Sequence, residues 1–147
     1  RQMCIRDRSS FAYQIAKNEK LKGDGVVKHG NLDSVRTYNH IEDAIQAYWL
    51  CSNSDKYGEV YNIGGDYTCK VGEALDMLIS KSTLSDLKPL LDSDRVRPTD
   101  ITLQIPDTSK FKEEFGWKPK KDLTHICDDL LNYWRERIKK EGIIFLE

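Results

Sequence analysis

The first pattern in this sequence that could do chemistry is a tyrosine followed four residues later by a lysine, Tyr13 and Lys17. On a helix these side chains share a face, so the ammonium can lower the pKa of the phenol and let a tyrosinate accept a proton. That chemistry needs a nicotinamide beside it, and the chain has no glycine-rich phosphate turn of the GxGxxG or GxxGxxG kind. With 7 tyrosines and many lysines, such a match is unremarkable by chance. We therefore interpret Tyr13 as a core residue and Lys17 as a solvated one.

Two arginines that follow short extended segments, Arg36 and Arg97, form a more specific pattern. A guanidinium is the side chain best suited to a planar, two-pronged grip on phosphate oxygens. Hydroxyls and a carboxylate stand next to both arginines in the sequence and could bind sugar hydroxyls: Thr37, Thr99 and Asp100. From composition alone, two surface arginines with local carboxylate partners remain the simpler interpretation.

Composition narrows the function classes. The 147 residues carry a net charge of −1, so there is no basic excess to neutralise the phosphates of a nucleic acid. No apolar run approaches the length of a membrane span and no signal peptide is evident, so we expect a cytoplasmic protein. The four cysteines form no CxxC pair, and the three histidines lack metal-ligand spacing. We expect scattered reduced thiols and no metal site.

Apolar periodicity and turn residues predict helices that alternate with short extended segments, which is typical of an α/β fold. Ser9 or Ser10 is expected to cap the first helix, which would end at a turn at 22–25. Further helices are predicted over 42–54, 71–82, 108–117 and 123–141, and the last two are expected to end at Gly116 and Gly142. Extended segments are predicted on either side of a GNLD turn at 30–33, over 56–65, and within 87–93 and 100–105. A helix of about a dozen residues between extended segments is typical of the crossover in a parallel β–α–β unit.

The first eight residues, RQMCIRDR, show no apolar period, cap or turn chemistry. The DNA string CAGATGTGTATAAGAGACAG, which resembles the transposon end used to build sequencing libraries, encodes Gln2 to Asp7 codon for codon. Arg8 would straddle the junction. We therefore expect residues 1–8 to be a non-native scar, and we exclude them from the prediction of helices and strands; the alternative is a frayed natural N-terminus.

Five stretches of the chain, in order, resemble the C-terminal half of extended short-chain dehydrogenase/reductases that modify nucleotide sugars. The most similar group is that of GDP-mannose 4,6-dehydratase and its sister, GDP-4-keto-6-deoxymannose reductase. The five stretches are SSFAYQIA (9–16), HGNLDSVRTYNHIEDAIQAYWL (29–50), GEVYNIGG (58–65), RPTD (97–100) and DTSKFKEEFGWKP (107–119). No one stretch is decisive, but five in the family's order form a strong signal.

The resemblance implies a fold and a set of binding residues. The fold would be the C-terminal part of a Rossmann-type NAD(P)-binding fold together with a small substrate-binding α/β subdomain. Arg36 and Arg97 would clamp the substrate diphosphate, Asp100 would bind ribose or base, and Asn31 would lie in the loop beneath the nucleotide. Segment 58–65 would be the last parallel strand of the Rossmann sheet, with its two glycines at the carboxyl end, where such sheets place ligands.

The sequence departs from the family in ways that matter for the site. The family reads Arg-Asp where this chain has Arg36 and Thr37, so we expect Arg36 to lack an acidic partner. The glycine-rich turn and the catalytic YxxxK of the family would both lie before Ser9. The resemblance therefore implies that this chain holds no catalytic residue and that NAD(P) is bound mainly by an upstream half.

Residues 9–147 are thus expected to be the nucleotide-sugar-binding half of a truncated enzyme, inactive alone and homo-oligomeric when intact. The resemblance implies a GDP-mannose 4,6-dehydratase acting on a nucleotide-diphosphate sugar, with neither nucleic acid nor membrane as a partner. A GDP-4-keto-6-deoxymannose reductase or an epimerase would share this chemistry. A non-catalytic nucleotide-sugar-binding module and a purely structural α/β domain are alternatives of other classes.

Overall fold

The computed structural model describes residues 3–96 and 99–142, with only the backbone of residues 3–8. Within them, helices and strands alternate, which confirms the α/β class. The helices are α1 (Met3–Leu21), α2 (Ile41–Ser52), α3 (Val71–Ser80), α4 (Ser109–Phe115) and α5 (Leu123–Glu141). The strands are β1 (Val26–His29), β2 (Val35–Tyr38), β3 (Tyr67–Lys70), β4 (Lys88–Leu91) and β5 (Leu103–Gln104).

The strands of the described part form two small sheets. β1 pairs in parallel with β4, and the other sheet has the order β3-β2-β5, in which β2 is antiparallel to β3 and parallel to β5. The two extended segments around the turn at 30–33 therefore belong to different sheets. The pairing of β2 with β5 matters most for the site, because it brings the loop before Leu103 against the strand that carries Arg36.

The prediction of a strand over 56–65 is wrong for this structure. Segment 58–65 runs without regular secondary structure, and none of the described strands pairs with it. An extended segment becomes a strand only when a neighbour satisfies its N–H and C=O groups. No described strand runs beside this segment, and its Val60 is 81% exposed. A parallel β–α–β unit through α2 is therefore not formed.

The main core lies among three helices, α1, α3 and α5. Tyr13 of α1 packs edge-to-face on Trp134 of α5, with ring centroids 5.1 Å apart. The expected cap at Ser9 or Ser10 is wrong, because α1 already begins at Met3. The hydroxyls of these serines make tertiary contacts instead: the Trp134 indole donates to Ser9 (3.1 Å) and the Arg95 guanidinium donates to Ser10 (3.1 Å).

An ion pair ties the same helices together at one end. Arg135 of α5 donates two hydrogen bonds to Glu19 of α1, both 2.7 Å long. The Ser82 hydroxyl (3.0 Å) and the Thr83 N–H (2.9 Å) donate to the same carboxylate. Burial alone would raise the pKa of Glu19, but these hydrogen bonds outweigh it and lower that pKa to about 2.

A smaller aromatic cluster joins α2 to α4. Ala47, Phe111 and Trp117 are buried in it, and Tyr61 and Phe115 pack against them. Gly116 ends α4 with a left-handed φ of 60°, as its sequence position predicted. The opposite face of α2 carries four large side chains that are exposed: Ile41, Ile45, Tyr48 and Trp49.

Among the residues that the structure describes, no helix is both long and apolar enough to cross a membrane.

Candidate functional site

Three of the four predicted binding residues come together at one carboxylate. Asp100 accepts hydrogen bonds from the Asn31 amide (3.0 Å) and the Arg36 guanidinium (3.3 Å). A fourth group, the hydroxyl of Ser34, donates to the same carboxylate at 2.5 Å. Arg36 and Asp100 are separated by 64 residues in sequence, so only the fold joins them.

Local structure explains how these groups converge. The side-chain oxygen of Asn31 accepts from the N–H of Asp33 (2.9 Å), which holds the loop before β2 in a turn. Ser34 and Arg36 are two residues apart on an extended segment and therefore point to the same face. The N–H of Val35 donates to the carbonyl of Thr102 (2.8 Å), which docks the loop containing Asp100 onto that face.

The Asp100 carboxylate is held in its charged form. The Ser34 hydroxyl contributes most to lowering the pKa of Asp100; burial opposes this, and Asn31 and Arg36 reinforce it. The side chains of Arg36 and Asp100 are only 13% and 22% exposed, so solvent screens their attraction weakly. The expectation that Arg36 lacks an acidic partner is wrong. The chain supplies that partner from the loop before β5, in place of the residue next to the arginine.

Arg97, the second predicted arginine, lies outside the described residues, and its role as a diphosphate ligand stays a prediction. Ser34 is the member of the cluster that sequence reasoning missed. Its signal was available, because it stands two positions before Arg36 and so shares its face. Its burial, at 1% exposure, and its bond to a carboxylate could not be predicted, because they depend on the fold placing Asp100 beside it.

A polar cleft of about 600 Å³ opens beside Arg36, between β2, the segment 62–64 and the residues from Leu103 to Pro106. Gly64, one of the two predicted glycines, forms part of its wall, and Gly65 is the next residue. A Cβ on Gly64 would lie 2.8 Å from the Pro106 ring, and one on Gly65 would collide with the carbonyl oxygen of Tyr38. This wall therefore requires residues without side chains. The cleft thus has a guanidinium at its edge, a group that can donate hydrogen bonds to an anion.

The tyrosine–lysine pair does not form a catalytic site here. Tyr13 is only 7% exposed and packs in the helical core. Burial raises the pKa of its phenol, which is the opposite of what a tyrosinate base needs. The interpretation of Tyr13 as a core residue is confirmed. Lys17 is half-buried rather than fully solvated.

The fold is that of the C-terminal part of Rossmann-type extended short-chain dehydrogenase/reductases. It resembles the structure of RMD from Pseudomonas aeruginosa complexed with NADPH, with a TM-score of 0.79 and 22% identity over 88% of this chain and 42% of that one. Residues 5–130 match the model of the family described as GDP-mannose 4,6 dehydratase. The chain belongs to this family of nucleotide-sugar dehydratases and reductases.

Two curated relatives show the range of the similarity. The GDP-6-deoxy-D-mannose reductase of Pseudomonas aeruginosa is 23% identical over 90% of this chain and 43% of its own length. The dTDP-glucose 4,6-dehydratase of Salmonella typhimurium is 29% identical over 67% of this chain and 29% of its own length. The chain thus spans less than half the length of these relatives.

Proposed function

We propose that this chain is the substrate-binding part of an NAD(P)-dependent enzyme that modifies a nucleotide-diphosphate sugar, a GDP-mannose 4,6-dehydratase that forms GDP-4-keto-6-deoxymannose. The observation that carries the proposal is the Arg36 guanidinium, fixed by Asp100 at the edge of a polar cleft. A cation held in one orientation can bind phosphate oxygens without losing much side-chain entropy. The intact parent would be the active, homo-oligomeric species, and this chain alone would be inactive.

Arg36 acts by positioning the substrate. One of its N–H groups donates to the carbonyl of Val35 (2.9 Å) and another to Asp100. We expect the remaining N–H donors to bind phosphate oxygens. Because Asp100 offsets the charge of Arg36, a diphosphate with its own double charge needs a second cation. Arg97, three residues before Asp100, is proposed to supply it.

The residues present do not suit a dinucleotide by themselves. The chain lacks a glycine-rich phosphate turn, so NAD(P) is proposed to bind mainly to another part of the intact parent. When bound, the nicotinamide supplies hydride transfer. The contribution of this chain is to fix the diphosphate so that the hexose lies in one place, which is catalysis by orientation.

Calorimetric titration of residues 1–147 with GDP-mannose tests the proposal. Arg36→Ala is expected to weaken binding about tenfold or more, since a charge-assisted hydrogen bond to phosphate is lost. Arg36→Lys is expected to recover only part of the affinity, because an ammonium cannot bind in the two-pronged mode. Arg137, on the outer side of α5 and paired with Glu141, supplies the matched control Arg137→Ala. Equal affinities of the wild type, Arg36→Ala and Arg137→Ala would contradict the proposal.

The sister reaction, reduction of GDP-4-keto-6-deoxymannose, is a second candidate. The similarity to the GDP-6-deoxy-D-mannose reductase over 90% of this chain favours it. Incubation of the intact parent with GDP-mannose separates the two. A dehydratase releases a 4-keto-6-deoxy product without net consumption of nicotinamide, whereas a reductase leaves GDP-mannose unchanged.

A further inference from the structure

Asn39, the residue after β2, has an unsatisfied amide at the site. Its side-chain oxygen Oδ1 is buried and accepts no hydrogen bond from any of the described residues. Asn39 lines the polar cleft and also a second, largely apolar groove of about 530 Å³ between α2 and α5. It therefore lies where the two cavities approach each other.

Other polar side chains that line the cleft are engaged. Arg36 donates to Asp100, the Thr37 hydroxyl contacts that of Thr68 at 3.2 Å, and the Asn62 amide donates to the carbonyl of Asp107 at 3.1 Å. These contacts hold the cleft in shape. The side-chain oxygen of Asn39 makes no such contact with the described residues. A role in holding the fold therefore does not explain why this position carries an amide.

An amide oxygen kept from water without a partner is unfavourable, and folded proteins satisfy most such groups. Replacing it by an apolar side chain would remove that penalty. A polar residue that costs stability and supports no contact is typical of a functional position. The torsion χ2 of asparagine is soft, and rotation about it can turn the oxygen of this half-buried residue toward the cleft.

We propose that Asn39 determines specificity, accepting through Oδ1 a hydrogen bond from a sugar hydroxyl of the nucleotide sugar bound in the cleft. The inference rests on the proposed function. Ionised phosphate oxygens only accept hydrogen bonds, so the diphosphate cannot be the partner of Oδ1. Asn39 stands three residues beyond Arg36, about 10 Å along an extended chain. That spacing suits a sugar hydroxyl of a ligand whose diphosphate lies at Arg36.

Asn39→Leu and Asn39→Ala in residues 1–147 test the inference through two opposite effects. Thermal stability should stay unchanged or rise in the leucine variant, because no hydrogen bond is lost and a buried polar atom is removed. Affinity for GDP-mannose should fall about five- to tenfold, the value of one hydrogen bond. Affinity for inorganic pyrophosphate should not change. Asn62→Leu is the matched control, and it should lower the melting temperature because it loses the bond to Asp107.

GDP and GDP-mannose separate the two sources of a hydroxyl. A loss of affinity for GDP-mannose alone assigns the partner to the hexose, and an equal loss for GDP assigns it to the ribose. Destabilisation of both Asn39 variants, or unchanged affinity for GDP-mannose, would overturn the inference and leave the proposed function standing. If the wild type binds neither GDP-mannose, GDP nor pyrophosphate, the proposed function itself fails and takes the inference with it.

Discussion

At the scale of single residues, hydrogen bonds to the carboxylate of Asp100 keep the candidate site charged and ordered. The hydroxyl of Ser34 donates to it at 2.5 Å from a buried position. Ser34→Ala is expected to lower the free energy of unfolding by about 1–2 kcal/mol, because a hydrogen bond to a charged group is lost and the carboxylate stays desolvated. Urea denaturation measures this. Ser52→Ala, which removes only exposed bonds, one donated to the carbonyl of Trp49 and one accepted from the Asn53 amide, should change little. Equal losses of unfolding free energy in both variants would contradict a stabilising bond from Ser34 to Asp100.

Glu19 contributes to the pH dependence of stability. Its folded pKa of about 2 lies below its ordinary value of 4.5, so the carboxylate contributes stability that is complete above about pH 4.5. That contribution is lost as the pH falls from about 4.5 to 2, because the proton binds the unfolded chain more tightly. Glu19→Gln should be less stable at pH 7 and should show a shallower decline over this interval. Melting temperatures across the pH series test this, with the exposed Glu136→Gln as the control that should follow the wild type.

Elements meet at the site through close backbone contact. The strand β2 and the segment ending at Gly65 approach so closely that a Cβ on Gly65 would collide with the Tyr38 carbonyl. Gly65→Ala is expected to cost about 1–3 kcal/mol of stability, since backbone must move. Gly72→Ala in α3 is the matched control, because its Cβ would meet Leu32 at an ordinary 3.4 Å. Alanine also lowers the conformational entropy of the unfolded chain, which stabilises the folded variant slightly. Denaturant midpoints that move equally would argue against this packing.

At the scale of the whole molecule, the buried aromatic cluster contrasts with the exposed apolar face of α2. Phe111 is completely buried in the aromatic cluster, whereas Trp49, on the outer face of α2, is 68% exposed. Phe111→Ala should cost about 3–5 kcal/mol, while Trp49→Ala should stay within about 0.5 kcal/mol. Chemical denaturation of the two variants tests this. A large loss from Trp49→Ala would show that its face is covered when residues 1–147 are in solution.

Much of the fold follows from local patterns in the sequence. Helices α2 to α5 were predicted because their apolar residues repeat at helical spacing and their ends carry capping residues such as Gly116 and Gly142. The strands flanking the turn at 30–33 were predicted from their sheet-forming residues. The start of α1 was not, because a serine that suits a cap also tolerates a helix interior when Trp134 or Arg95 binds its hydroxyl.

The candidate site, like the fold, was predictable from the sequence only in part. The sequence alone predicted Asn31, Arg36 and Asp100 as binding residues, because side-chain chemistry and a family resemblance can both be recognised from residue types. The meeting of Asn31, Ser34 and Arg36 at the Asp100 carboxylate depended on the pairing of β2 with β5. The unsatisfied oxygen of Asn39 depended on its burial in the fold. The expected strand at 58–65 depended equally on partners that the sequence cannot show. Local propensities act over a few residues, whereas hydrogen bonds and burial join groups far apart in the chain, so only the tertiary structure could decide them.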